Sequence, residues 1–185
     1  MTMSTMDSDR FIDRKEMPEV GVFVGHPDYP ADGYWLQLPL SDKELEEVLA
    51  RHPEGYTLSD MDTDLRMLYN SSSGRDRLPE INRLVRTIAD FHERGWKDML
   101  LFLMAWDKMG GVDDALAILR QGNYEFYRNV TDTESLGHAV AKKGLVVVPE
   151  SIEVYVDFEL IGRDWRANGC AIDEELECAF MQTAT

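Results

Sequence analysis

Asp60, Asp62 and Asp64 occupy every second position in the stretch YTLSDMDTDLRMLYN. Carboxylates at that spacing are the start of a calcium loop, whose sixth residue is a glycine at the sharp turn and whose twelfth is a bidentate glutamate. Here those two places hold Leu65 and Ser71, so the turn and the closing ligand are both wrong. His26, His52, His92 and His138 lie far apart without a metal-ligand spacing, and Cys170 and Cys178 do not form a C-x-x-C pair. There is no glycine-rich phosphate loop, no G-x-S-x-G elbow and no H-E-x-x-H. Arg163 beside Asp164 has the residue types of a catalytic pair, but an ion pair or a helix-end contact is the simpler account. The expectation is a protein that is not an enzyme, with no catalytic residue, no metal and no cofactor.

What the sequence does hold is an excess of acid. Thirty-five Asp and Glu face 19 Lys and Arg, a formal charge of -16 in 185 residues; small soluble domains usually carry a magnitude of about 2 to 8. Such a field destabilises the compact state by self-repulsion and repels DNA, RNA and anionic lipid. Direct nucleic-acid binding and membrane binding are therefore not expected, and the natural partner is basic: a cationic protein surface, or a metal. The 44% hydrophobic content is enough for a buried core. The first residues lack the apolar core of a signal peptide, and no run of about 18 apolar residues is present. A cytoplasmic location is expected. Two cysteines are then reduced thiols, and the N-x-S/T matches at Asn70 and Asn129 carry no meaning.

The charge is unevenly spread. Residues 1–75 hold 15 acids and 7 bases, net -8; residues 76–122 hold 8 and 7, net -1; residues 123–185 hold 12 and 5, net -7. With the Ser/Gly-rich stretch NSSSGRDR as a boundary, the expected organisation is a tail at 1–19, an α+β module at 20–75, a helical module at 76–122 and a second α+β module at 123–185. The fold class is α+β.

In the first module VGVFVG and GYWLQL read as strands, joined by the loop HPDYPAD, and they are candidates to pair. SDKELEEVLARH opens with Ser41 and has Glu44 three residues later, a capping box, while Leu45, Val48 and Leu49 make an apolar stripe. Asp42, Glu44, Glu46 and Glu47 then fall in or near the first turns, where the helix dipole favours acids. In the middle, Pro79 starts a helix with Ile81, Leu84, Val85, Ile88 and Phe91 on one face; WKDMLLFLMAWDKM is apolar nearly all round and ends at Gly110 and Gly111, and VDDALAILRQG is a further helix. These are expected to pack as a small bundle. Later, NYEFYRNV reads as a strand and TDTESLGHAVAKKG as a helix, while CAIDEELECAFM suggests two short strands around the acidic turn of Asp173, Glu174 and Glu175, followed by Glu177.

The segment PESIEVYVDFELIGRDWRANG admits two periods. As a strand, Ile152, Val154, Val156, Phe158 and Leu160 alternate with acids; as helix, break, helix, Pro149 sits in a first turn, Asp157 caps a second helix and Gly169 closes it. Periodicity alone leaves both open.

This segment resembles the C-terminal signature of the ArdA family of antirestriction proteins, in which a Pro-led helix, a Tyr, an Asp and a G-R-D helix follow one another. ADGYWLQLP is similar to the family's N-terminal pattern, and LPEINRL to its helical middle. The resemblance runs from about residue 20 to about residue 175. It implies an elongated, three-module protein that is a homodimer through its C-terminal part. It further implies carboxylates that imitate bent B-form DNA and occupy the DNA-binding groove of type I restriction-modification enzymes, sparing incoming mobile-element DNA. The implied fold takes the helix, break, helix reading: Glu150 and Glu153 on the first helix, Glu159 and Asp164 on the second, with Ile152, Val156, Leu160 and Trp165 facing inward. The carboxylates expected to meet the partner are those named above from Asp42 to Glu47, Asp60 to Asp64, Glu150 to Asp164 and Asp173 to Glu177, the capping Asp157 among them. One feature departs from a continuous mimic: the near-neutral middle carries Arg77, Arg83, Arg86 and Arg94, for which Glu80, Asp90 and Glu93 are candidate internal partners. Two other targets fit the same charge: another nucleic-acid enzyme such as a CRISPR nuclease, or a repressor. A different class, an acidic adaptor that holds a basic protein by one helix groove, fits it as well.

Overall fold

A computed structural model describes residues 16–71 and 78–183, the side chains of Arg66, Asn70 and Ser71 excepted. Most of the expected tail, most of the Ser/Gly stretch and Arg77 lie outside the described residues. The fold is α+β, and the chain divides into two compact units, Met1–Trp96 and Lys97–Thr185.

The first unit is built on a three-stranded antiparallel sheet of order β2-β1-β3, with β1 at Val20–Gly25, β2 at Gly33–Leu38 and β3 at Thr57–Thr63. The two strands read from the sequence pair in register from Val20 opposite Leu38 to Gly25 opposite Gly33. The third, β3, is the aspartate stretch itself, which the calcium-loop comparison did not treat as a strand. Its buried Met61 stands between exposed Asp60 and Asp62, a period of two that marks a half-buried strand. β-Branched Val20, Val22 and Val24 suit the pleat and put one face wholly out of water together with Leu38 and Met61. Helix α1 (Asp42–Arg51) follows β2, α2 (Arg66–Ser71) follows β3, and α3 (Leu78–Arg94) buries Ile81, Leu84, Val85 and Ile88 while packing on β2. Each fully buried Val, Leu or Ile contributes about 1.5–3 kcal/mol relative to exposure.

Among the described residues of the same unit, the polar side chain of Asn82 is buried. Its amide oxygen accepts from the Leu40 N–H at 2.6 Å and its amide nitrogen donates to the Leu40 carbonyl at 3.1 Å. Both backbone groups of Leu40, the residue before the N-cap Ser41, are thus satisfied by α3, which anchors the approach to α1.

The second unit starts with α4 (Trp96–Met109), whose residues from Met99 to Trp106 are largely buried, as its all-round apolar composition requires. α5 (Val112–Gln121) ends on Gly122, whose φ of 74° is the left-handed conformation glycine adopts without strain. β4 (Tyr124–Arg128), β5 (Ala171–Asp173) and β6 (Cys178–Gln182) form an antiparallel sheet of order β4-β6-β5. Between β4 and β5 lie α6 (Thr133–Lys142), a 3-10 helix at Glu150–Tyr155 and α7 (Phe158–Ala167). Tyr127, Leu136, Val140, Cys170 and Ala179 share one core cluster, against which Ile161 and Trp165 pack.

α6 and α7 cross with their backbones touching. A Cβ on Gly137 would stand 1.9 Å from the Phe158 carbonyl oxygen, and one on Gly162 would stand 1.7 Å from that of Thr133. Only hydrogen fits at either place. Gly162, the glycine of the G-R-D run, is therefore a packing residue with a physical reason for its identity.

The helix, break, helix reading holds in the segment that allowed two periods, although its first helix is 3-10 rather than α. The expected inward residues need correction. Ile152 and Leu160 are exposed, Val156 and Trp165 are half-buried, and the buried positions of α7 are Phe158 and Gly162. The cause is geometric: Phe158 and Gly162, four apart, share the face that meets α6, and Leu160, two residues from each, is turned about 200° away.

Candidate partner-binding carboxylate surface

At α1, Ser41 is the N-cap and forms a capping box with Glu44. The Glu44 N–H donates to Ser41 Oγ at 3.3 Å, and the Ser41 N–H donates to Glu44 Oε2 at 2.8 Å. The Ser41 hydroxyl hydrogen bond to the carboxylate holds Glu44 below the usual range, so this acid stays charged and in place. The other three acids of the helix differ in their surroundings. Asp42 is paired with Arg86, whose guanidinium also donates to the Leu40 carbonyl, and Glu47 lies 3.7 Å from Lys43. Glu46 is exposed and forms no ion pair among the described residues. Glu80, Asp90 and Glu93 were the candidate partners for the middle arginines. Arg86 instead reaches 44 residues back to Asp42, and Arg94 lies over the Phe91 ring at 4.7 Å.

On β3, Asp60 and Asp62 point from the outer face of the sheet and Asp64 follows the strand; all three are exposed. One Asp60 oxygen accepts the Met61 N–H at 2.8 Å. Among the described residues no cation is paired with any of the three.

In the second unit, Glu150 and Glu153 are exposed on the 3-10 helix. Asp157 caps α7 by accepting the Leu160 N–H at 2.9 Å, Glu159 is bonded to Arg163 one turn on at 2.5 Å, and Asp164 faces solvent. The neighbour of Arg163 in space is thus Glu159, an exposed i,i+4 pair of the kind that adds about 0.3–0.5 kcal/mol. Asp173 is half-buried and accepts the N–H groups of Glu175 at 3.0 Å and Leu176 at 2.9 Å, which organises the turn between β5 and β6. Glu174 and Glu175 are exposed on that turn. Glu177 is half-buried with φ of 51°, and its carbonyl accepts the Val130 N–H at 3.0 Å.

Two acids outside the expected partner-binding set have distinct surroundings, and of these the sequence offers Asp132 only as a possible start of its helix. Asp132 caps α6 through the Ser135 N–H at 2.8 Å, and that bond holds its carboxyl low. Asp107 is pushed up, first by burial and then by the nearby Asp173 charge. The Asp132-x-x-Ser135 cap was legible; the influence of the Asp173 charge on Asp107 was not, because it joins residues distant in sequence.

Cys170 and Cys178 are free and buried, and burial pushes the Cys170 thiol up to about 11, which keeps it protonated and unreactive at neutral pH. Among the described residues no group of three or more His, Cys, Asp or Glu is placed to hold a metal, and no helix is long and apolar enough to cross a membrane.

Fold and surface define an acidic α+β protein whose distinguishing chemistry is exposed carboxylate, fixed at several points by helix caps, turns and neighbouring cations. The sequence profile described as antirestriction protein (ArdA) matches residues 30–175, most of the chain. The chain belongs to the ArdA family of antirestriction proteins. No curated protein matches it.

Proposed function

We propose that this protein is a DNA mimic that occupies the DNA-binding groove of a type I restriction-modification enzyme and so protects incoming mobile-element DNA in the cytoplasm. The observation that carries the proposal is the exposure of nearly every expected acid, in both units, on a chain of net charge -16. Duplex DNA carries one charge per about 1.7 Å of axis, so this excess matches about 27 Å of duplex. Carboxylates fixed by caps and turns offer a cationic groove many contacts without the entropy of ordering them at binding. Inhibition on this reading is stoichiometric and needs no catalytic group.

The segments 20–75, 76–122 and 123–185 are proposed as functional modules of differing charge, the near-neutral middle contributing least to the contact. A homodimer through the C-terminal part is supported by the exposed apolar side chains Val147, Ile152, Val154, Tyr155 and Leu160, near one another along the chain, whose exposure self-association would reduce.

The test is competition. Purified protein displaces DNA from a type I enzyme at near-stoichiometric ratios, and the complex weakens as salt rises. Failure to displace DNA at any ratio removes the proposal; capture of a CRISPR nuclease or a repressor in place of a type I enzyme redirects it.

A further inference from the structure

The outer face of the β2-β1-β3 sheet combines two chemistries. Because directly opposed residues share a face, Phe23 stands between Trp35 and Asp60, and Gly21 between Gln37 and Asp62. The two aromatic rings meet edge to face, centroids 5.5 Å apart. Gly21 leaves room above the middle strand: a Cβ there would already touch the Trp35 ring and the Asp62 side chain, each at 3.6 Å. The indole therefore lies across β1 toward the aspartate row. Trp35 is 51% exposed, and Asp60 and Asp62 are exposed beside it.

Resting on the reading that the partner is a cationic protein surface, we propose that this face is an arginine-reading surface: a partner guanidinium stacks on Trp35 while its N–H groups donate to Asp60 or Asp62. Charge complementarity selects the occupant. A polyanion is repelled, an apolar partner would bury two carboxylates without counter-charge, and a second copy would set aspartate against aspartate. Between the two basic side chains, the planar guanidinium matches both the aromatic face and the forked carboxylate, whereas a lysine ammonium keeps its hydration and gains less. An array of carboxylates alone does not distinguish arginine from lysine; the indole supplies the difference.

The experiment uses the full chain and two probes of equal charge, N-acetyl hexa-arginine amide and hexa-lysine amide. Binding is followed by NMR at the Trp35 indole N–H and the backbone amides of β1 and β3. The expected result is tighter binding of the arginine peptide by about two- to five-fold, with the largest shifts on this face. Trp35→Leu removes the preference and leaves lysine-peptide affinity unchanged, Trp35→Tyr retains it, and Asp60→Asn combined with Asp62→Asn weakens both peptides. Equal affinity for the two peptides, or an arginine preference untouched by Trp35→Leu, overturns the proposal. Should Trp35→Leu not fold, the map on the unaltered chain decides, and arginine shifts confined to other acids overturn it. The two readings fail separately. An unaltered protein that prefers arginine on this face yet never displaces DNA from a type I enzyme loses only the mimic reading. One that displaces DNA with no arginine preference loses only this face.

Discussion

The two units carry the same charge and differ in what else they show to water. The first, residues 1–96, holds 19 acids and 11 bases; the second, residues 97–185, holds 16 and 8; each is net -8. Among the described residues of the first, the large exposed apolar side chains are the aromatics Tyr29, Trp35 and Tyr69, scattered along the chain. In the second they are mainly aliphatic and run together from Leu145 to Leu160, across the 3-10 helix and into α7. Equal charge with unequal apolar exposure among the described residues fits the division of tasks proposed above, in which both units offer carboxylates to the partner and the second carries the apolar side chains for self-association. The units also fix themselves differently. A buried amide and an arginine clamp the approach to α1 in the first, and a glycine-to-glycine crossing holds α6 against α7 in the second.

The largest expected effect comes from that crossing. Gly162→Ala forces a methyl into the Thr133 carbonyl and costs about 3 kcal/mol by overpacking, well beyond the gain in helix propensity. Hydrogen exchange resolved by residue should show the loss in the second unit with the first unchanged; equal loss in both would break the separation. Next, Asn82→Leu leaves the Leu40 N–H without its buried acceptor, while the Leu40 carbonyl keeps Arg86, and costs about 2 kcal/mol, read by denaturant unfolding and confined to the first unit.

A smaller change in stability, within about 0.5 kcal/mol, accompanies Ile152→Asp with Val154→Asp, since both side chains already face water. The same pair of changes should shift sedimentation from dimer to monomer. A dimer that survives them would sharpen the comparison by moving self-association off this patch.

The smallest effects are those of pH. Glu44 in the first unit and Asp132 in the second have lowered carboxyl pKa values, so each contributes stability that is present above its ordinary value and lost as pH falls through its folded value. Asp107 is raised and works in the opposite sense: its ionisation weakens the second unit above its folded value, and that penalty disappears as pH falls below its ordinary value. Asp107→Asn should therefore raise the melting temperature at pH 7 and leave it unchanged near pH 3. A stabilisation that persists in acid would assign the effect to packing rather than charge.

Much of this was legible because its causes are local. The Ser41 to Glu44 box, the helix from Trp96 to Met109, the hairpin around Asp173 and the pairing of VGVFVG with GYWLQL each follow from residues near one another or from a simple period. The aspartate strand is also local, since Met61 between two acids has the period of two, although three alternating aspartates equally match the ligand spacing of a calcium loop. By contrast, no local pattern couples Arg86 to Asp42 or Asp107 to Asp173, and none says that Ile152 and Leu160 face outward.

Composition and spacing by themselves determined the sign of the field and the α+β class, because net charge and periodicity are sums and repeats along a chain. Only the tertiary structure decided which carboxylates are tied to a cation, which aromatic ring lies beside which aspartate, and which apolar side chains stay in water. Those outcomes depend on approaches between residues dozens of positions apart, where a few ångströms set whether two groups meet.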